Sequence, residues 1–268
     1  MKVLHQGQAP QTLLQLRPLA GSIQRIGVRA ESHVSVRHSG RTRELPSPPG
    51  IQMVLSVEVT RISRDDGDVH YRFMLEQMDL RVKAGTPVND AEALRAELAP
   101  LPGLRGEGRV SPHGRSNHFQ VALPKALSSH LNEPLQQLLK TLGGMGTFLP
   151  ASAVGLGARW EHQTQEPLST TTVEFKTLEK KEVGLRMELF APPSSTEPRT
   201  QSRGQGGCVM SLDRLWPIRY ELEVDTHAHV QSQDDGPPRR LETTTHLRMR
   251  IRELSFTSPL PRPSAYVR

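Results

Sequence analysis

Arg248, Arg250 and Arg252 recur at every second position, the spacing that sets three guanidinium groups on one face of an extended strand. Such a row has the chemistry to clamp phosphate or phospholipid headgroups. The segment before it supplies partners within the chain. If the chain turns at 232–238, antiparallel positions whose numbers sum to about 471 face each other, placing Glu223 opposite Arg248 and Glu221 opposite Arg250. The same register sets Leu222 beside Met249 and Val224 beside Leu247, so one alignment satisfies both faces. The row therefore reads as a solvent-facing salt-bridge ladder, each exposed pair contributing roughly 0–1 kcal/mol.

His227 and His229 share a strand face with Asp225 and His246. Metal sites use that spacing, but a first shell needs three or four convergent ligands, and no metal is expected here. Glycines cluster at 103–108, 143–146, 155–157 and 204–207. None precedes Lys-Ser/Thr as in a phosphate loop, and none opens a helix within a βαβ unit, so no nucleotide cofactor is expected. They read as bulges, caps and tight turns. No Gly-x-Ser-x-Gly, His-Glu-x-x-His or Ser-x-x-Lys pattern occurs. Cys208, the single cysteine, sits in Gly206–Met210 and reads as a small buried strand residue. Trp160 and Trp216 read as core or rim anchors.

The elements that must position these groups are strands. Period-two alternation runs through 26–37, then through Ile51, Met53, Leu55, Val57 and Val59. Val69, Tyr71, Phe73 and Leu75 continue it, after which the phase switches to Met78, Leu80 and Val82. A β-bulge is expected near Glu76–Gln77. Val183–Leu189, Tyr220–Val224 and Leu247–Ile251 alternate likewise. Asp-Asp-Gly at 65–67 and Asp234–Pro238 mark turns, which makes 51–82 and 217–254 the two firmest hairpins. Two segments carry helical stripes: 88–99, with Ala91, Leu94 and Leu98, and 125–142, with Leu127, Leu131, Leu135, Leu138 and Leu142. Pro134 should kink the second.

The fold class is mainly antiparallel β with two or three helices, in two similar β-rich halves forming a curved sheet or half-barrel. A faint repeat relates Val59–Leu75 to Val173–Leu189, and Arg105–Ser111 to Arg203–Val209. The expected divisions are 1–143 (a β-rich half with two helices), 144–258 (a second β-rich half) and 259–268 (a Pro-rich tail).

Hydrophobic residues make up 35% of the 268 and aromatics 4%, so the core must rest on Leu, Val, Ile and Met. The net charge of +6 is spread in ones and twos among 28 acids, which argues against a nucleic-acid surface. The apolar runs are too short for a transmembrane segment. The run at Met1–Gly7 is too short for a secretory signal, leaving a cytoplasmic chain or one numbered after signal removal.

Val154-Gly155-Leu156-Gly157-Ala158-Arg159-Trp160, followed by a Thr-rich strand, resembles a phrase in uncharacterised exported bacterial β-proteins and lipoproteins. More distantly, the long strands and few helices resemble the half-barrel of periplasmic lipoprotein carriers, which hold acyl chains between sheet and helices. The resemblance implies a periplasmic or outer-envelope location and an apolar small molecule or lipid as partner. The reading is a non-enzymatic carrier or binding domain whose cleft is lined by Phe73, Leu75, Leu94, Leu98, Leu131, Leu138 and Trp160. One alternative is a structural or interaction component of the cell envelope, contacting a partner through loops 39–50 and 191–203. The other is an enzyme with a dispersed site.

Overall fold

The structure, a computed structural model, describes residues 1–38, 40–82, 88–124, 135, 139, 149–165, 168–194, 198–232 and 239–255. Its strands are β1 (Lys2–His5), β2 (Ile23–His38), β3 (Arg41–Glu44), β4 (Gly50–Ile62), β5 (Val69–Arg81), β6 (Arg105–Val110), β7 (Ser116–Val121), β8 (Arg159–Gln165), β9 (Leu168–Glu179), β10 (Glu182–Ala191), β11 (Arg199–Ser211), β12 (Arg219–Ser232) and β13 (Arg239–Leu254). One helix, α1 (Val88–Leu98), separates β5 from β6. All thirteen strands belong to one open, curved, antiparallel sheet ordered β1-β8-β9-β10-β11-β12-β13-β2-β4-β5-β6-β7, with β3 beside β2. Both strand runs of the faint repeat, β4–β6 and β9–β11, thus share a single sheet, with β12, β13 and β2 between them.

Both expected hairpins are present. β12 and β13 pair with Glu223 opposite Arg248, Glu221 opposite Arg250, Leu222 opposite Met249 and Val224 opposite Leu247. In the β4–β5 hairpin, Leu55 pairs with Leu75 while Val54 pairs with Gln77, so Glu76 is the extra residue of a bulge. That one residue lets Val69–Leu75 and Met78–Leu80 point to the same side despite their shifted phase. α1 matches its expected span. In the second helical segment, 125–142, the described residues are Leu135, a member of the expected stripe, and Leu139, which is not; both are helical and buried, and the Pro134 kink lies outside the described residues.

Two expectations about loops change. Arg41–Glu44, within the segment read as an exposed loop, is a strand hydrogen-bonded to the end of β2. Gly204–Gly207 marks no bulge or turn but runs through the middle of β11. Its glycines make room for neighbours: a Cβ on Gly204 would come within 3.0 Å of the Val224 side chain, and one on Gly206 within 2.3 Å of the Glu221 carbonyl oxygen. In β6 the reason is aromatic. A Cβ on Gly106 would lie 2.3 Å from Phe73 Cζ, and one on Gly108 2.3 Å from Tyr71 Cζ. Rings from β5 therefore lie across β6, and Phe73 stacks on Phe119 of β7 at 5.3 Å between centroids.

The core lies on one face of this sheet, here called inner. It is a single cluster that includes Ile26, Val28, Leu55, Tyr71, Phe73, Leu75, Trp160, Phe175, Leu185, Cys208 and Ile251. The N-terminal segment closes part of it: Thr12 bridges Val154, and Leu14 is fully buried. Gln24 fastens β2 to the β11–β12 connection. Its side-chain Nε2 donates to the Trp216 carbonyl at 2.8 Å, and its Oε1 accepts from the Trp216 N–H at 3.0 Å, both buried.

Candidate ligand-binding face

Paired residues in antiparallel strands share a face, so the register divides the inner side into rows that cross the sheet. The deepest row, Phe175-Leu185-Cys208-Tyr220-Ile251-Val28-Met53, belongs to the core. Above it runs Trp160-Val173-Met187-Gly206-Leu222-Met249-Ala30. The next is His162-Thr171-Leu189-Gly204-Val224-Leu247-Ser32. Beyond lie Thr164 and Ser169, then Ala191, Ser202, Thr226, Thr245 and Val34.

Burial falls away row by row. Along β13, Ile251 is 0% exposed, Met249 4% and Leu247 37%. Leu189, Leu222 and Val224 are likewise only partly covered, as are Ser32 and Val34. The strands therefore continue past the packed core. From the Ile251 row to the Val34 row is three steps of two residues, about 20 Å at roughly 3.3 Å per residue. In these upper rows no described inward position is Asp, Glu, Lys or Arg. Glycines at 204 and 206 leave a track without side chains in the middle strand.

The outer face of the same strand segments has the opposite chemistry. Arg250 Nε donates to Glu221 at 2.8 Å, Arg248 Nε lies 3.1 Å from Glu223, and Arg248 also bonds Glu221. The expected ladder is present and holds the Glu221 carboxyl below its usual range, chiefly through the hydrogen bonds from Arg248 and then Arg250. Arg252, by contrast, faces Arg219. Beside the ladder a shallow outer cleft of about 570 Å³ is lined by Glu188, Phe190, Arg203, Glu223, Asp225 and His246. Arg203 lies over the Phe190 ring, 5.8 Å from its centroid.

Burial disfavours the charged forms of three inward groups, His162, Cys208 and Tyr220. Burial, foremost, keeps the His162 imidazole below its ordinary range, aided by the N-terminal amine and Arg115. Burial pushes the Cys208 thiol up to about 12, so it is a protonated apolar filler and no nucleophile. Burial likewise raises the Tyr220 phenol, with a smaller contribution from Cys208.

Of the residues expected to line a cleft, Phe73, Leu75, Leu98 and Trp160 are buried in the core cluster and Leu94 packs against it. Leu131 and Leu138 lie outside the described residues. The wet apolar positions are instead Leu189, Leu222, Val224 and Leu247. Their alternation had marked them as inward. The missing signal was how far the core reaches along each strand. His227 and His229 do not converge with His246: His246 Nδ1 bonds Asp225 at 2.7 Å, while His227 Nδ1 lies 3.1 Å from Thr244 Oγ1 and His229 Nδ1 3.9 Å from Glu242.

This geometry defines a class: an open antiparallel half-barrel with a packed base and an uncharged, partly apolar inner wall above it. No family model matches the sequence, and no curated protein matches it. Among solved structures the fold is similar to that of lipovitellin, in a structure concerned with lipid–protein interactions. The TM-score is 0.54 at 11% identity over 94% of this chain, which spans 27% of the lipovitellin chain. The likeness is one of fold.

Proposed function

We propose that this chain is a non-enzymatic binding or carrier domain that holds an apolar ligand, a lipid acyl chain, against the inner wall. The observation that carries the reading is the asymmetry of the upper strands. In these rows the same segments present Arg, Glu and Asp outward and only Trp, Leu, Val, Met, Ala, Gly, Thr, Ser and His inward. Water on both sides would tolerate charge on both, whereas an acyl chain requires one side free of it. Met187, Leu189, Leu222, Val224 and Leu247 supply the contact. Trp160 supplies the floor, and Phe73, Leu75 and Leu98 the packed base. The Thr and Ser row above provides hydroxyls for a polar end group. Lipovitellin's association with lipid fits a fold of this kind serving lipids, and an extracytoplasmic setting belongs to the same proposal.

The test is titration of the purified protein with a fluorescent fatty-acid analogue, with unlabelled fatty acid as competitor. Saturable, competable binding at micromolar concentration is expected. Absence of any signal at that concentration would remove this reading and leave an envelope interaction protein in front.

A further inference from the structure

The uncharged rows of the inner wall end at a charged rim on β3. The row above Ser202-Thr226-Thr245-Val34 is Thr200-Ala228-Thr243-Val36-Arg43, carried by β11, β12, β13, β2 and β3. Val36 continues the inward series Val28, Ala30, Ser32 and Val34, so its partner Arg43 faces inward as well. One row further up, Arg41 lies opposite His38 on the same side. Below Arg43, Leu45 donates its N–H to the Val34 carbonyl at 2.9 Å and extends the last uncharged row onto β3. β3 thus presents Leu45, Arg43 and Arg41 inward in order, while Thr42 and Glu44, opposite Arg37 and Ser35, face outward. Arg41 and Arg43 are exposed, and neither has a hydrogen-bond or ion-pair partner among the described residues. Arg37, on the outer side of β2, lies 4.0 Å from Glu242.

A guanidinium is a planar fork of N–H donors that matches the oxygens of a carboxylate or a phosphate. Two of them at alternate positions of one strand stand about 7 Å apart, near enough to share one oxyanion. From the Met249–Ala30 row to the Val36–Arg43 row is three steps of two residues, about 20 Å along the strands, a distance that an extended long acyl chain covers. We propose, building on the carrier reading, that Arg41 and Arg43 receive the anionic end, a carboxylate or a phosphate, of an acyl ligand whose tail lies down the wall toward Leu247 and Met249. The ligand class narrows from apolar molecules in general to amphiphiles with an oxyanion at one end. Edge strands also use inward charge to block pairing with other chains. That role is indifferent to the end group of a ligand, which gives the experiment its contrast.

The test is displacement of the fluorescent fatty-acid analogue by palmitate, palmitoyl lysophosphatidate, monopalmitoylglycerol and inorganic phosphate, the lipids kept below the concentrations at which they form micelles. The two anionic lipids should bind about tenfold more tightly than the neutral glyceride, and the tighter of the two assigns the end group as carboxylate or phosphate. Inorganic phosphate at the same concentrations should displace nothing, because it has no tail for the wall. Arg41→Gln combined with Arg43→Gln, with the tracer affinity measured anew, should cost the anionic lipids about tenfold and leave the glyceride within about twofold. The variant should keep its circular dichroism spectrum and urea midpoint, since both side chains are exposed. The proposal is overturned if the glyceride binds wild type as tightly as palmitate, if the paired substitution weakens all lipids equally or none, or if inorganic phosphate alone displaces the analogue. Equal binding of glyceride and acid would strike only the arginine assignment and leave the carrier reading standing. Binding of none of these lipids would remove both.

Discussion

The gradient along β13 allows folding and binding to be separated within a single strand. Leu247 and Ile251 point the same way, four residues apart, yet one is 37% exposed and the other 0%. Val224 lies directly opposite Leu247. Consider Val224→Thr combined with Leu247→Thr, which places β-branched residues in both strands and matches the neighbouring Thr245 and Thr226. Full burial of a leucine side chain contributes about 1.5–3 kcal/mol. The exposed third of Leu247 therefore has about 0.5–1 kcal/mol left to gain from a ligand. At Val224, a hydroxyl placed under an acyl chain without a partner costs about 1–3 kcal/mol. The expected loss is about 2 kcal/mol, or roughly thirtyfold in Kd for the fatty-acid analogue. Stability should fall by only about 1–2 kcal/mol, because the remaining two-thirds of Leu247 is what folding had buried. Ile251→Val, by contrast, should lower stability by about 0.5–1.5 kcal/mol and leave Kd within about twofold, since no ligand reaches a filled row. The pair of assays is a urea melt and a fluorescence titration on the same samples. Unchanged affinity in the Val224/Leu247 variant, or a loss in Ile251→Val that exceeds it, would show that the ligand sits elsewhere.

Two further outcomes follow from interactions away from the wall. Gln24→Leu leaves both Trp216 backbone groups buried without their partner. Its cost in a urea melt should be about 2–4 kcal/mol, and Gln24→Glu at neutral pH should cost at least as much, because a buried carboxylate accepts from the N–H but cannot donate to the Trp216 carbonyl; a loss below about 0.5 kcal/mol in Gln24→Leu would mean the contact is not made. The Glu221 ladder sets a pH dependence with a definite sign. Because Arg248 and Arg250 depress the folded-state pKa of Glu221, its contribution is present above the unfolded-state carboxylate pKa and lost as pH falls through the depressed one. As Glu221 is 43% exposed, the effect is screened and should amount to only a few tenths of a kcal/mol. Wild type should therefore lose slightly more stability than Glu221→Gln between about pH 5 and pH 3; the reverse order would contradict the ladder.

Much of the fold was legible because local pattern and turn chemistry coincide in hairpins. The β12–β13 register follows from two conditions met at once, charge with charge and apolar with apolar, and a one-residue slip would break both. The Glu76 bulge was visible as a phase change. The neighbours of β2 were not legible, because alternation tells which side of a strand is apolar and nothing of which strands flank it. β2 lies between β13 and β4, partners far apart in the sequence order. The inner wall was half legible for a related reason. Phe73 and Trp160 were expected to line a cleft because they are large and inward. Whether a large inward residue is packed or wet depends on what crosses it from other elements. Phe73 is closed over by the Gly106 gap and Phe119, and both of those are long-range facts.

The proposed function depends on one structural circumstance, that the sheet is longer than its core. A single sheet layer must cover its apolar side or leave it wet. Around Ile251 and Val28 the cover is the chain's own core. Around Leu222, Val224 and Leu247 the described residues leave the side partly open, and glycine at 204 and 206 keeps side chains of β11 off the surface. A strand extension with no use for that face could have carried Lys or Glu there, as edge and surface strands commonly do, with little cost to folding. Instead the uncharged composition of these inward rows persists across seven adjacent strands, while the outer positions of the same strands carry charges of both signs. An uncharged, half-covered wall on strands that are charged on their other side is the arrangement a carrier of an apolar ligand requires.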